Sequence, residues 1–235
     1  MSKNKLARIA GLLYLGVVIT GIFSLMYVPT KLIVENDAAV TYQNIISSAS
    51  LFRVWIVCGL LCYTLFLFLP LVLYKLLHTV HKNHAALMVL FAVMSVPIFF
   101  LNVQNQLNIL TLLTDHLGFS VTQIQAQLML YLNQYDNGMR IVHICSGLWL
   151  FPFGYLVYTS GFLPKILGLL LMIGCFSYLI NFVGNTLMPT YSTLGISSYI
   201  RLPASIGEIG ICLWLLIAGV KDSKIKHEVN NELQP

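Results

Sequence analysis

The sequence predicts an all-α, polytopic membrane protein: six transmembrane helices paired in three hairpins, with short interfacial helices on the outer side. Three observations predict it. The 235 residues are 58% hydrophobic and only 9% charged, and a mean hydropathy of +0.83 is far more apolar than a soluble domain. Six stretches reach the roughly 20 apolar residues that cross a hydrocarbon core as a helix, at 6–28, 54–77, 85–110, 139–158, 165–187 and 201–220. The segments between them are too short for a separate soluble domain, so residues 1–220 form one bundle and 221–235 a polar, disordered tail.

The first span follows Lys3, Lys5 and Arg8. No small-x-small cleavage pattern precedes Pro29, so it reads as a retained span and not as a secretory signal. Residues 37–52 then place Tyr42, Ile45, Ala49 and Phe52 at helical spacing, the pattern of an amphipathic helix lying on the membrane surface. Arg53 opens the second span, which contains Pro70. The third span contains Pro97 and ends in amides: Asn102, Gln104, Asn105, Gln106 and Asn108. A second surface helix is expected from Ser120, where Ser120 and Gln123 form a capping-box pattern and Val121, Ile124, Leu128, Tyr131, Leu132 and Tyr135 share one face. Arg140 opens the fourth span, which holds His143, Gly147 and Pro152. The fifth runs from Lys165 to the late Tyr178, Asn181 and Asn185, and Arg201 opens the sixth, which carries Glu208. The prolines within spans remove backbone donors and bend the helices.

A weak threefold repeat accompanies this order. "RIAGLL" from 8 and "KILGLL" from 165 share a pattern, and Arg53 and Arg140 are each followed by a cysteine five residues later. Basic residues orient the bundle, because Lys and Arg concentrate in cytoplasmic loops. With the N-terminus inside, Lys3, Lys5, Arg8, Lys75, Lys82, Lys165, Lys221, Lys224 and Lys226 are cytoplasmic, nine of the thirteen. Both termini are therefore expected inside, in the cytoplasmic membrane, and the net charge of +5 reflects orientation and not nucleic-acid binding. All five cysteines fall in spans, where small apolar packing is the simplest role.

Ionisable and amide side chains within spans are costly and mark functional candidates. Here they cluster in the outer half. Arg201 and Glu208 are i, i+7; Arg140, His143 and Gly147 are i, i+3, i+7; Asn181 and Asn185, like Asn102 and Gln106, are i, i+4. Each set occupies one helix face. The economical arrangement turns these faces to a shared pocket open to the outside, lined by Arg53, Asn102, Gln106, Arg140, His143, Asn181, Asn185, Arg201 and Glu208. Three arginines against one glutamate favour an anion, since guanidinium groups suit carboxylate and phosphate. Ala204, Ser205, Gly207 and Gly210 beside Glu208 suggest a tight helix interface, with the carboxylate paired to Arg140, Arg53 or His143. The competing reading makes the arginines boundary anchors and the amides helix-to-helix bonds. His143 lacks a second His, Asp or Cys at i+3 or i+4, so no metal is expected, and no cofactor motif or ATP-binding loop is present.

The opening "RIAGLLYLGVVITGIFS", the long block "SGLWLFPFGYLVYTSGFLPKILGLLLMIGCFSYLI" (146–180) and "LPASIGEIGICLWLLIAGVK" (202–221) resemble the bacterial membrane family catalogued as domain of unknown function 4386, over nearly the whole chain. The resemblance implies an integral bacterial membrane protein and brings no activity with it. From the residues, the leading expectation is binding or transport of an anionic or amphipathic small molecule or lipid in the outward-facing pocket, with membrane lipids as surroundings. Two alternatives stand beside it: an intramembrane enzyme using His143 or Glu208 as general base, and an accessory subunit of another membrane protein.

Overall fold

A computed structural model describes residues 2–115, 118–188 and 190–220. The tail expected over 221–235 lies outside the described residues. Six helices are long and apolar enough to cross a membrane: Lys3–Leu32, Ala49–Leu77, Lys82–Thr114, Val121–Thr159, Lys165–Leu187 and Tyr199–Ile217. They are called here the first to sixth spans. The protein is an integral, multi-pass membrane protein, and no strand occurs among the described residues.

Three spans change helical geometry without ending. In the first, Thr20 Oγ1 donates to Gly16 O at 2.6 Å and Ser24 Oγ to Thr20 O at 2.7 Å, hydroxyl bonds that compete with the backbone ladder. A π-helical turn, Phe23–Tyr27, follows directly. The third span breaks at Val103, where Asn105 Nδ2 donates to both the carbonyl and the side-chain oxygen of Asn102. The fourth breaks at Trp149. Pro152 explains that break, because a proline ring clashes with the carbonyl four residues earlier, here Leu148.

Of the first expected surface helix, 37–52, only the part before Ser48 is a separate helix, and Ala49 and Phe52 belong to the second span. Ala38–Ser47 is a separate short helix, capped by Asp37, whose side chain accepts from Val40 N at 2.9 Å. Thr41, fully buried, ties it to the end of the first span by accepting from Val34 N and donating to Val34 O. The second, expected from Ser120, is instead the opening part of the fourth span. The capping box between Ser120 and Gln123 forms, and the helix then runs unbroken from Val121 to Leu148. Its 28 residues rise about 42 Å, more than a hydrocarbon core of about 30 Å, so the helix overshoots it. The apolar face read as membrane-seeking packs instead on Gln104–Thr114, which lengthens the third span in the same direction. Leu128, Leu132 and Tyr135 are buried there with Ile109 and Leu112.

The three hairpins form a closed ring. Each span packs on its neighbours in sequence, and the sixth returns to the first. Glycines set the tightest seams. A Cβ on Gly11 would lie 2.5 Å from Leu216 N, so the first and sixth spans touch through backbone. Gly154 and Gly168 bring the fourth and fifth together, a Cβ on either meeting the other's carbonyl oxygen at 2.5 and 2.6 Å, and Gly174 faces Ala204 across the fifth and sixth. Such contacts supply the van der Waals packing that must hold helices together where lipid removes any hydrophobic drive.

Gly168→Leu is expected to overpack the seam between the fourth and fifth spans, at a cost of about 1–3 kcal/mol or more, seen as a lowered thermal unfolding midpoint in detergent. Gly21→Ala should leave the midpoint unchanged or slightly raised, because its Cβ would meet only Cys62 Sγ at an ordinary 3.6 Å.

Candidate functional site

The sixth span has two working faces. Ala204, Gly207 and Gly210 turn to the fifth span, where Gly174, Leu170, Leu171 and Leu167 lie against them. Arg201, Ser205 and Glu208 turn the other way, into the ring, and border a cavity of about 460 Å³. The small residues flanking Glu208 therefore serve a different contact from the carboxylate itself. Among the described residues Glu208 forms no ion pair with Arg140, Arg53 or His143, so the expected pairing is corrected. Arg201, two turns away on the same helix, borders the same cavity.

The cavity lies in the half of the ring farther from the N-terminus. Aromatic rings close its base: Tyr14 and Phe66 pack against Trp149 with centroids 6.2 and 5.1 Å away, and Trp149 stacks on Phe153 at 5.1 Å. Beside that base Tyr14, only 2% exposed, presents a hydroxyl with no hydrogen-bond partner. Ser146 Oγ is likewise buried and unpartnered, and both residues line the cavity. Each hydroxyl can donate one hydrogen bond and accept others, and leaving one unmet costs about 1–3 kcal/mol.

Toward the far face the cavity adjoins a narrower cleft of about 90 Å³, and His143, Tyr178 and Arg201 border both. Tyr178 links these parts. Its ring lies 5.7 Å from the Arg201 guanidinium and 5.8 Å from the His143 ring. Gly147 permits this placement, because a Cβ there would lie 2.5 Å from Tyr178 Cβ. That accounts for the Arg140, His143, Gly147 face: two side chains turn toward the cleft and the third position makes room for a ring from the next helix.

Arg140, Asn181 and Asn185 complete the cleft. The amides are already engaged. Asn181 Oδ1 accepts from Tyr191 Oη at 2.9 Å and its Nδ2 donates to Ser197 O at 3.3 Å, while Asn185 Nδ2 donates to Asn181 O at 2.7 Å. They fasten the connection between the fifth and sixth spans beside the mouth.

Six of the nine residues expected around one pocket thus border the cavity or the adjoining cleft: Arg140, His143, Asn181, Asn185, Arg201 and Glu208. Arg53, Asn102 and Gln106 do not. Arg53 is exposed at the head of the second span beside fully buried Phe52. Asn102 is 7% exposed and donates to Tyr135 O at 2.8 Å, with its amide pressed against Gly138. It joins the third span to the fourth. Gln106, 1% exposed, lies in the same interface. The charge balance is accordingly two guanidinium groups against one carboxylate, with Asp136 a turn beyond Arg140 on its helix.

Tyr14 and Ser146 were not among the residues expected at the pocket. A trace of Tyr14 exists in the sequence, where Ala7, Ala10, Gly11 and Tyr14 form a stripe of small residues ending in a phenol, and all four are buried. Among the described residues no three His, Cys, Asp or Glu side chains converge. The recess offers guanidinium charge and hydroxyl and imidazole hydrogen bonding to whatever occupies it.

An uncharacterised protein of the archaeon Archaeoglobus fulgidus is 35% identical over 83 residues, a match spanning 35% of this chain and 47% of that protein. No solved structure matches. Residues 9–219 match the family described as domain of unknown function (DUF4386). With nearly all of its six spans inside that match, the chain belongs to the DUF4386 family.

Proposed function

We propose that the protein binds an anion, or the anionic head of an amphiphile, in a recess open to the outside of the cell. The observation that carries this reading is the buried, unpartnered hydroxyl of Tyr14 at the base of a cavity whose other end is bordered by Arg201 and, through the adjoining cleft, Arg140. A recess in apolar surroundings with a few convergent polar groups is the usual form of a ligand site. Hydrogen bonds from a guanidinium to phosphate or carboxylate are among the strongest a protein makes. The outward orientation rests on the basic residues, nine of thirteen on the side of the N-terminus.

Catalysis is the less supported reading. His143 and Glu208 share the cavity with Ser146, but Ser146 Oγ has no hydrogen-bond partner, whereas a nucleophile is activated by contact with its base.

The test is binding of dodecyl phosphate to the purified full chain by titration calorimetry in a neutral detergent. Arg201→Ala is expected to weaken binding about 10- to 100-fold, the value of a charged hydrogen bond at about 1.5–3 kcal/mol, and Arg53→Ala to leave it unchanged. Equal losses from both substitutions, or none from either, would count against the recess. Asn102→Ala separates structure from binding: removal of its bond to Tyr135 O should lower stability by about 1–3 kcal/mol in chemical unfolding while affinity stays the same. Orientation has its own check. In intact cells a membrane-impermeant maleimide should label Ser120→Cys and spare Thr79→Cys, in a background without the native cysteines; the reverse pattern would place the recess toward the cytoplasm.

A further inference from the structure

The wall of the recess, in contrast to its ends, is apolar and open to the side. Val18, Ile22, Leu25 and Met26 of the first span and Ile209 of the sixth border the cavity. Several of them are also exposed on the outer surface of the bundle: Ile22 by 50%, Met26 by 63% and Ile209 by 42%. A side chain that borders a cavity and is half exposed stands on its edge, so the cavity opens between these two spans. Nearer the N-terminus the same pair is shut. Gly11 meets the backbone at Leu216, Cys212 Sγ points to Gly11 O at 3.7 Å, and Ala7, Ala10, Ile211 and Leu215 are fully buried. From the level of Tyr14 and Glu208 onward the spans part, and Ser205 and Arg201 are exposed. The π turn Phe23–Tyr27 lies along this stretch of the first span, an insertion of the kind that recurs at functional sites.

The result is a wedge with its closed end at Glu208 and its open side toward the bilayer. Arg201 to Ile209 spans eight residues, about 12 Å of rise. A water-soluble anion needs neither an apolar wall nor a side opening. We infer that the ligand is an anionic amphiphile drawn sideways from the membrane between the first and sixth spans, its head at the guanidinium groups of Arg201 and Arg140 and one alkyl chain along Val18, Ile22 and Ile209. This rests on the anion-binding reading above and adds the class of ligand and its route. An alkyl chain in the wedge keeps hydrocarbon around it throughout, and the charged head exchanges the interface for fixed donors.

The experiment compares dodecyl phosphate with butyl phosphate on the full chain in phosphatidylcholine nanodiscs, with affinities expressed at equal mole fraction in the bilayer. Ile209→Trp fills the wedge from the sixth span and Leu25→Trp from the first; both positions are exposed, and agreement between the two guards against misfolding of either. Each is expected to weaken dodecyl phosphate about tenfold while butyl phosphate is unaffected, since loss of even a few buried methylenes is worth that much. Indifference of dodecyl phosphate to both tryptophans, with Arg201→Ala still reducing its affinity, would overturn lateral access and leave an anion site. If Arg201→Ala changes neither probe, the recess reading fails and this inference with it.

Discussion

Hydrocarbon leaves a polar side chain few choices, and that constraint organises this molecule. An ionisable or amide group in a span must turn inward, meet a partner or reach water. Six spans in a closed ring provide an inside for it to turn to. Ring closure depends on the first and sixth spans meeting backbone to backbone at Gly11 and Leu216. Without that seam Glu208, Arg201 and Tyr14 would face lipid.

The ring is filled unequally along its axis. Toward the N-terminus, buried Leu69, Leu73, Leu76, Leu156 and Trp149 pack as a dry core. Beyond Trp149 the centre is hollow, and the polar groups stand around the hollow. Glycine governs both halves by different means. Gly154 against Gly168 draws two helices together. Gly147 instead admits the ring of Tyr178, which joins His143 and Arg201 into one wall. Thus the same residue type supplies stability below and shapes a cavity above.

Much of this was legible in the sequence, and the failures share a cause. Span number and order follow from hydropathy, because length and composition alone decide whether a helix can cross a membrane. Periodicity also placed Arg140 with His143 and Arg201 with Glu208, since residues one or two turns apart must share a face. What periodicity lacks is the identity of the neighbour. Asn181 with Asn185 and Asn102 with Gln106 have the same spacing, yet the first pair borders the recess and the second seals the third span to the fourth. Arg53 and Arg140 are each followed by a cysteine five residues later, but only Arg140 borders the cleft. The stretch from Ser120 carries an amphipathic face that a membrane surface or a protruding helix can satisfy equally well, and the extension of the third span decided between them. Tyr14 is hidden for a simpler reason: its hydroxyl gains meaning only once Trp149 and Phe66 are known to close the cavity beside it.

The central claim is that hydroxyl, imidazole and guanidinium groups from four spans surround a recess that water can reach in the middle of an apolar bundle. Spin-label accessibility measures this most directly. With a nitroxide on Ser146→Cys in a reconstituted bilayer, the account predicts collision with a water-soluble nickel reagent to exceed collision with oxygen, and the opposite order for a label on Leu169→Cys, which is exposed on the lipid-facing side of the fifth span. An oxygen-dominated profile at both positions would mean that Ser146 sits in a dry contact, and the recess would have no standing as a binding site.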